Sequence, residues 1–343
     1  MKKKLKIAHI HVWDKKNKGD VAIVMAVQDL LKKHLENIEI VNFPVEFLKN
    51  DDADVIKKLN SCNIVVIGGG GIYYRYFMPY DIDIIKKIKI PIVIFGVGYI
   101  REVGSRALKP VEQQSIAFLN KQASLVSVRD NYSKKFLITN GVDKAKIKVI
   151  GDPAIFLEEK KAKFKHQDAK IKIGFNLNYS GWLGFGKYKT EILESYKQVA
   201  DYFQKNHNAQ IYYLLHHPGE KVILKELDVN DMITIDMNMY KQKYVYAQMD
   251  LIVGMMLHSC VLAFGAETPE INVAYDLRNK NFARFIGMPE LFVDLDELKK
   301  GVLLKRAKDV FKKKSFYHNK FIVAKQRIQK KHEDFLQDIK KLI

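Results

Sequence analysis

Short β-branched runs alternate with amphipathic segments along this 343-residue chain, and the alternation breaks once, near residues 158–170, before it restarts. These two observations predict an α/β fold of two doubly wound, Rossmann-like units. A strict strand–helix order builds parallel sheets covered by helices on both faces. Length agrees, because 343 residues are more than one hydrophobic core usually serves.

The first unit opens with "LKIAHIHV" (Leu5–Val12), which reads as a strand. "IEIVNF" (Ile38–Phe43), "NIVVIG", "IPIVIFGVG" and "SLVSVR" follow as strands, with "GDVAIVMAVQDLLKKHL" and "PVEQQSIAFLNKQ" among the helical patterns between them. "EEKKAKFKHQDAK" then loses apolar periodicity and reads as a linker. Beyond it come "IKIGFNL", a long helix near Glu191–Asn206, "AQIYYLLHH", "MITID", "DLIVGMM" and "EINVAY". From Leu298 onward the chain is helical and basic. Phe321, Ile322, Phe335 and Ile339 recur at roughly helical spacing there, which favours packing over a role on an anionic membrane surface. The expected division is 1–160, 161–315 and a C-terminal helix over 316–343 that packs back on the first unit. Two such units facing a cleft make a GT-B-like architecture, with ligands beyond the carboxyl ends of the strands.

Net charge is +19, but of 58 Lys and Arg only eight are Arg. Guanidinium forks are preferred where phosphate or base edges are read, so a lysine excess indicates a solvated surface rather than a nucleic-acid face. No RRM, KH, zinc-finger or helix-turn-helix pattern is present, and nucleic acid is not an expected partner. No apolar run reaches bilayer length. "MKKKLKIAHIHVWDKK" lacks the long apolar stretch and small-residue cleavage site of a signal peptide. Cys62 and Cys260 are the only cysteines and lie far apart, as in a reduced, cytoplasmic protein.

The unusual residues cluster after strands. "NIVVIGGGGIYYRYF" ends a strand in four glycines, where bare backbone lets a ligand approach. Tyr73 occupies the place of the third fingerprint glycine, and no P-loop lysine follows, so neither nucleotide motif applies. Gly69, Gly70 and Gly71 would present N–H groups to a phosphate or sugar, with Tyr73, Tyr74 and Tyr76 stacking on a sugar face and Arg75 beside them. In "NKGDVAI", Asn17, Gly19 and Asp20 begin a helix whose positive end favours an anion. A plain cap, with Asp20 capping and Gly19 shaping the turn, accounts for that stretch taken alone. His258 follows a strand and starts a helix, where imidazole can move a proton at neutral pH. His216 and His217 point to opposite sides of an extended chain, so they do not share one metal; His217 is the one assigned to substrate. His9 and His11 share a face but lack a third ligand. The D-x-D pairs at Asp81/Asp83 and Asp294/Asp296 sit in helix-like contexts and read as surface charge. No metal and no cofactor is expected, and the zinc-hydrolase and nucleophile-elbow motifs are absent.

Taken in order, "NKGDVAI", "GGGGI", "GVGY", "SVRDNYS", "GDPA" and "GMMLHSCVLAFGAETPEINVAYDLRNKNF" resemble the polysaccharide pyruvyl transferase family over about residues 6–290. The resemblance implies a GT-B-like transferase that moves a pyruvyl group from phosphoenolpyruvate to a sugar of a cell-surface polysaccharide or its precursor, forming a ketal. It places the acceptor, a nucleotide-linked or lipid-linked glycan, on the first unit and the donor on the second. His258 becomes the catalytic acid or base, with Arg129, Arg278 and Lys280 on the donor. One position departs: the family's Arg-x-His is Met256-Leu257-His258 here. Losing a guanidinium clamp removes charge-assisted hydrogen bonds of about 1.5–3 kcal/mol each. Two other readings follow. One is a glycosyltransferase with a nucleotide-sugar donor, in which Glu267 holds the ribose hydroxyls. The other is a non-enzymatic protein that binds glycan or touches the anionic inner face of the cell membrane peripherally.

Overall fold

The computed structural model describes residues 4–50, 52–101, 106–165, 170–178 and 186–343. It divides into two compact units. One comprises Met1–Lys15, Ile23–Phe156 and Arg327–Ile343, and the other Lys16–Ala22 and Leu157–Gln326. The divisions at 156 and 326 differ from the expected 160 and 315. The C-terminal helix is not a separate piece but is shared out between the units.

The first unit carries β1 (Leu5–His11), β2 (Ile38–Pro44), β3 (Ile64–Gly68), β4 (Ile92–Val97), β5 (Leu125–Val128) and β6 (Ile147–Val149). They form one parallel sheet in the order β2-β1-β3-β4-β5-β6. β3 and β4 are buried at every residue, which is why they read as continuous apolar runs rather than alternating ones. Helices α1 (Lys18–His34), α2 (Ala53–Asn60), α3 (Ile82–Lys87), α4 (Pro110–Gln122) and α5 (Asn131–Thr139) connect them. On one face Ile7, Ile64, Val66 and Phe95 pack with Val27 and Leu31 of α1 and with Phe335, Leu336 and Ile339. Those last three belong to the end of α12 (Lys314–Lys340).

In the second unit β7 (Lys172–Asn176), β8 (Gln210–Leu214), β9 (Ile233–Ile235), β10 (Leu251–Gly254), β11 (Glu270–Ala274) and β12 (Phe292–Asp294) form a parallel sheet ordered β12-β11-β10-β7-β8-β9. Its helices are α6 (Lys189–His207), α7 (Glu220–Leu227), α8 (Met239–Ala247), α9 (Leu257–Gly265), α10 (Leu277–Phe285) and α11 (Val302–Lys312). The predicted fold class holds: two parallel-sheet α/β units with a helical C-terminus. β12 was not among the expected strands, because three residues leave no periodicity to read. Asp294 ends β12 and caps the following turn of helix, and Asp81 caps α3 through the Asp83 and Ile84 N–H groups. Of the expected linker, residues 166–169 lie outside the described residues. No helix among the described residues is long and apolar enough to cross a membrane.

Candidate active site

His258 stands in the first turn of α9, just past the carboxyl end of β10. The loop that carries it is held by buried amides. Asn176, the last residue of β7, accepts from the Met255 N–H at its carbonyl (2.9 Å) and from the Met256 N–H at Oδ1 (3.1 Å). Asn279 Nδ2 donates to the Met255 carbonyl at 2.9 Å and to Asn272 Oδ1 at 2.6 Å. Both Met255 and Met256 therefore have their main chain fixed by side chains from other strands and helices, which sets where α9 begins.

A second set of buried groups lies behind α9. His216 Nε2 donates to the Tyr246 hydroxyl (2.8 Å), which donates on to Ser259 Oγ (2.8 Å). Burial, with Lys18 and His258 nearby, holds the His216 ring well below the usual imidazole range, so it is neutral. Glu220 opens α7 and accepts from the His216 N–H at 3.1 Å and from Asn176 Nδ2 at 3.3 Å. Burial lifts its carboxyl to about 8.

The N-K-G-D turn belongs to this unit. The Lys18 N–H donates to the His216 carbonyl at 2.9 Å, and Lys18 Nζ reaches Asp236 (2.8 Å) and Gln242 (3.0 Å). The helix cap is Asn17, not Asp20: Asn17 Oδ1 accepts from the Gly19 N–H at 3.0 Å and the Asp20 N–H at 3.4 Å. Gly19 is buried against the His258 ring. Asn17, Gly19 and His258 are thus brought together with Met256, and Asp20 sits in the same first turn. His217 is half-buried and turns back on its own loop, where Nδ1 accepts from the Gly219 N–H at 3.0 Å.

The predicted donor cations of this unit are engaged elsewhere. Arg278 Nε donates to Asp276 at 2.6 Å and Nη2 to the Tyr275 hydroxyl at 3.1 Å. Lys280 pairs with Asp294. Glu267, at φ 61°, is paired with Lys325 at 2.8 Å. An anion at Arg278 or Lys280 has to compete with these carboxylates.

In the first unit, sequence expectation and structure part company at the glycine loop. Gly69 and Gly70 take φ of 90° and 112°. A Cβ on Gly69 would lie 2.8 Å from Val24 Cγ2, and one on Gly71 1.9 Å from Ile100 Cδ1. The protein's own side chains press on Gly69 and Gly71. Tyr73 is fully buried and its hydroxyl donates to Asn120 Oδ1 at 2.7 Å. It therefore offers no face to a sugar, correcting that expectation. Arg75 lies over the Tyr76 ring at 4.9 Å. Arg129 is buried on Gly98, with Asp130 at 3.4 Å and Asp152 at 3.5 Å. It is an internal ion triad of this unit. Burial drives His9 down to about 3; its Nε2–H donates to the Gly68 carbonyl at 3.1 Å, while Nδ1 lies 3.2 Å from Gln28 Nε2. Among the described residues, no three His, Cys, Asp or Glu side chains are grouped as a metal ion requires.

Sequence reading missed Asn176, Glu220 and Tyr246. A polar residue closing an apolar strand in "GFNLN" was the available signal for the first.

The family model for polysaccharide pyruvyl transferase matches residues 17–276, three quarters of the chain. The chain belongs to the polysaccharide pyruvyl transferase family. The matched span runs from Asn17 of the N-K-G-D turn to Asp276, partner of Arg278, and so contains Asn17, Gly19, Asn176, His216, Glu220, Tyr246, Met256 and His258, while Asn279 lies three residues beyond it. No curated protein matches the chain at a significant level. Among solved structures it is similar to UDP-GlcNAc 2-epimerase from Neisseria meningitidis bound to UDP-GlcNAc, with a TM-score of 0.64 at 12% identity over 98% of this chain and 100% of that one. S. aureus MnaA with UDP is similar at 0.62 and 12%, covering 92% and 90%. Anabaena Alr3699/HepE with UDP and glucose is similar at 0.59 and 12%, covering 98% and 100%. At such identities the likeness speaks for the fold alone, and it agrees with the GT-B-like class.

Proposed function

We propose that this family member transfers a pyruvyl group from phosphoenolpyruvate to two hydroxyls of a sugar, with His258 moving the proton. Membership of the family, together with His258 packed on Gly19 of the N-K-G-D turn, carries the reading. In net terms two C–O bonds form to the enol carbon and its bond to phosphate breaks. One hydroxyl proton ends on the methylene, making it a methyl, and the other on the released phosphate. An imidazole beside the reacting carbon can deliver the first and accept the second. Asn176, Asn279 and the His216–Tyr246–Ser259 chain keep the His258 loop in place.

The acceptor is a glycan or glycan precursor, and the protein works where phosphoenolpyruvate is made, on the cytoplasmic side. A second reading, transfer from or binding of a nucleotide sugar, is favoured by two observations. Met256 stands where the family's arginine would meet the donor, and Arg278 and Lys280 are already paired. Isothermal titration of the purified protein with phosphoenolpyruvate and with UDP-sugars separates the two. His258→Gln should keep phosphoenolpyruvate affinity within about threefold, while turnover falls by about 10²–10⁴, the usual worth of a positioned acid or base. Binding of UDP-sugar with none of phosphoenolpyruvate would reverse the order of the two readings.

A further inference from the structure

Trp13, two residues past the end of β1, is 44% exposed, although its ring is among the most apolar surfaces a chain can bury. It is not loose. The His11 imidazole stacks on it at 5.1 Å between centroids with 7° between planes. His11 is itself buried, with Nδ1 2.8 Å from the Val12 carbonyl oxygen and Nε2 3.1 Å from Asn42 Oδ1. The indole is therefore braced from behind by a fixed ring while nearly half of it meets solvent. In front lies a hollow of about 570 Å³ lined by Val12, Trp13, Asp14, Pro44, Glu46 and Phe77. That volume is in the range of small-molecule sites. The hollow sits at the carboxyl ends of β1 and β2, where open α/β sheets hold their ligands.

We propose that this hollow is the seat of one pyranose ring of the acceptor glycan. The inference rests on the glycan-acceptor reading above and adds a place and a chemistry to it. A pyranose has an apolar C–H face and a rim of hydroxyls. Trp13 and Phe77 offer flat apolar surface for the face, and the carboxylates of Asp14 and Glu46 accept from the rim. Two acids with two aromatics and no lining cation suit a neutral sugar and disfavour a phosphate. Of the neighbouring ammonium groups, Lys15 Nζ lies 5.8 Å from the Trp13 ring centroid on a long stem, and Lys49 Nζ is engaged by the Tyr76 carbonyl at 3.3 Å. Phe77 comes to the hollow from the turn Arg75–Phe77, a few residues after the glycine loop.

Trp13 and Trp182 are the only tryptophans, so Trp182→Phe leaves a single indole as reporter. Its fluorescence is titrated with the methyl pyranosides of glucose, galactose, mannose and N-acetylglucosamine, and separately with UDP. A saturable shift with at least one pyranoside and none with UDP is expected, weakened about tenfold or more by Glu46→Ala. In turnover assays Trp13→Ala should raise acceptor KM about tenfold or more, and leave the KM for phosphoenolpyruvate and the Tm near wild type. Silence with all four sugars, or an unchanged acceptor KM in Trp13→Ala, overturns the proposal. A shift with UDP alone would make the hollow a base-stacking site and overturn it equally. Phosphoenolpyruvate binding is measured independently on the same samples, so failure of the transfer reading is distinguishable from failure of the sugar seat.

Discussion

The Cα of Gly19 rests on the imidazole of His258: a Cβ built there would stand 2.5 Å from Nδ1 and 2.9 Å from Cγ. Two motifs more than two hundred residues apart in the chain meet at that contact. Gly19 is the second residue of α1, where alanine would ordinarily favour the helix by about 0.5–1 kcal/mol. Its glycine is therefore required by the neighbour and not by the helix.

Gly19→Ala separates these effects. The methyl must displace the ring, so turnover should fall about tenfold or more, while helix propensity offsets part of the packing loss and Tm changes little. Steady-state kinetics beside a thermal melt makes the comparison. Wild-type turnover in the alanine variant would show that the His258 ring position is immaterial to the chemistry.

Met256 caps α9 and is half-buried, two residues before His258, with its N–H on Asn176 Oδ1. If phosphoenolpyruvate is the donor, Met256→Arg restores a guanidinium beside it and should tighten binding by about tenfold for each 1.4 kcal/mol gained. If the donor is a nucleotide sugar, the same change brings no gain and obstructs the pocket. Calorimetric titration of both ligands on both proteins decides, and weaker phosphoenolpyruvate binding by the variant would count against a donor carboxylate or phosphate at this position.

Glu220 predicts a pH effect of known sign. Burial raises its carboxyl from 4.5 to about 8 in the folded state, against the hydrogen bond from the His216 N–H. Below 4.5 both states hold the proton and the contribution to stability is complete. Between 4.5 and about 8 the unfolded chain releases a proton that the folded one keeps, so stability falls as pH rises. Glu220→Gln fixes the neutral form. Relative to wild type, the variant should gain stability on going from pH 5 to pH 8 in urea unfolding. Parallel pH profiles for the two proteins would mean that Glu220 is ionised in the fold.

Much of the architecture is legible in the sequence. The apolar runs of β3 and β4 stand out because both faces of those strands are buried, and α4 is bounded where its Pro110 and apolar spacing place it. β12 was not legible, since three residues paired to β11 carry no pattern of their own. At the site, His258 and the N-K-G-D turn were visible as separate motifs. Their contact was not, nor was the capping by Asn17 in place of Asp20. Tyr73 was misread because a tyrosine after glycines looks solvent-facing, and its buried partner Asn120 is 47 residues away.

The sequence by itself determined what each strand end carries: bare glycines after β3, and a methionine and a histidine, Met256 and His258, after β10. Those follow from side-chain type and local period, which need no partner. Tertiary structure alone decided which groups are available to a ligand. Arg278 and Lys280 are drawn to Asp276 and Asp294, Arg129 is enclosed with Asp130 and Asp152, and Trp13 is held open by His11. The physical reason is that a charge or ring on an irregular loop settles on whatever its folded neighbours present, and buried polar groups must be paired. Those neighbours come from distant strands, so no local reading of the chain contains them.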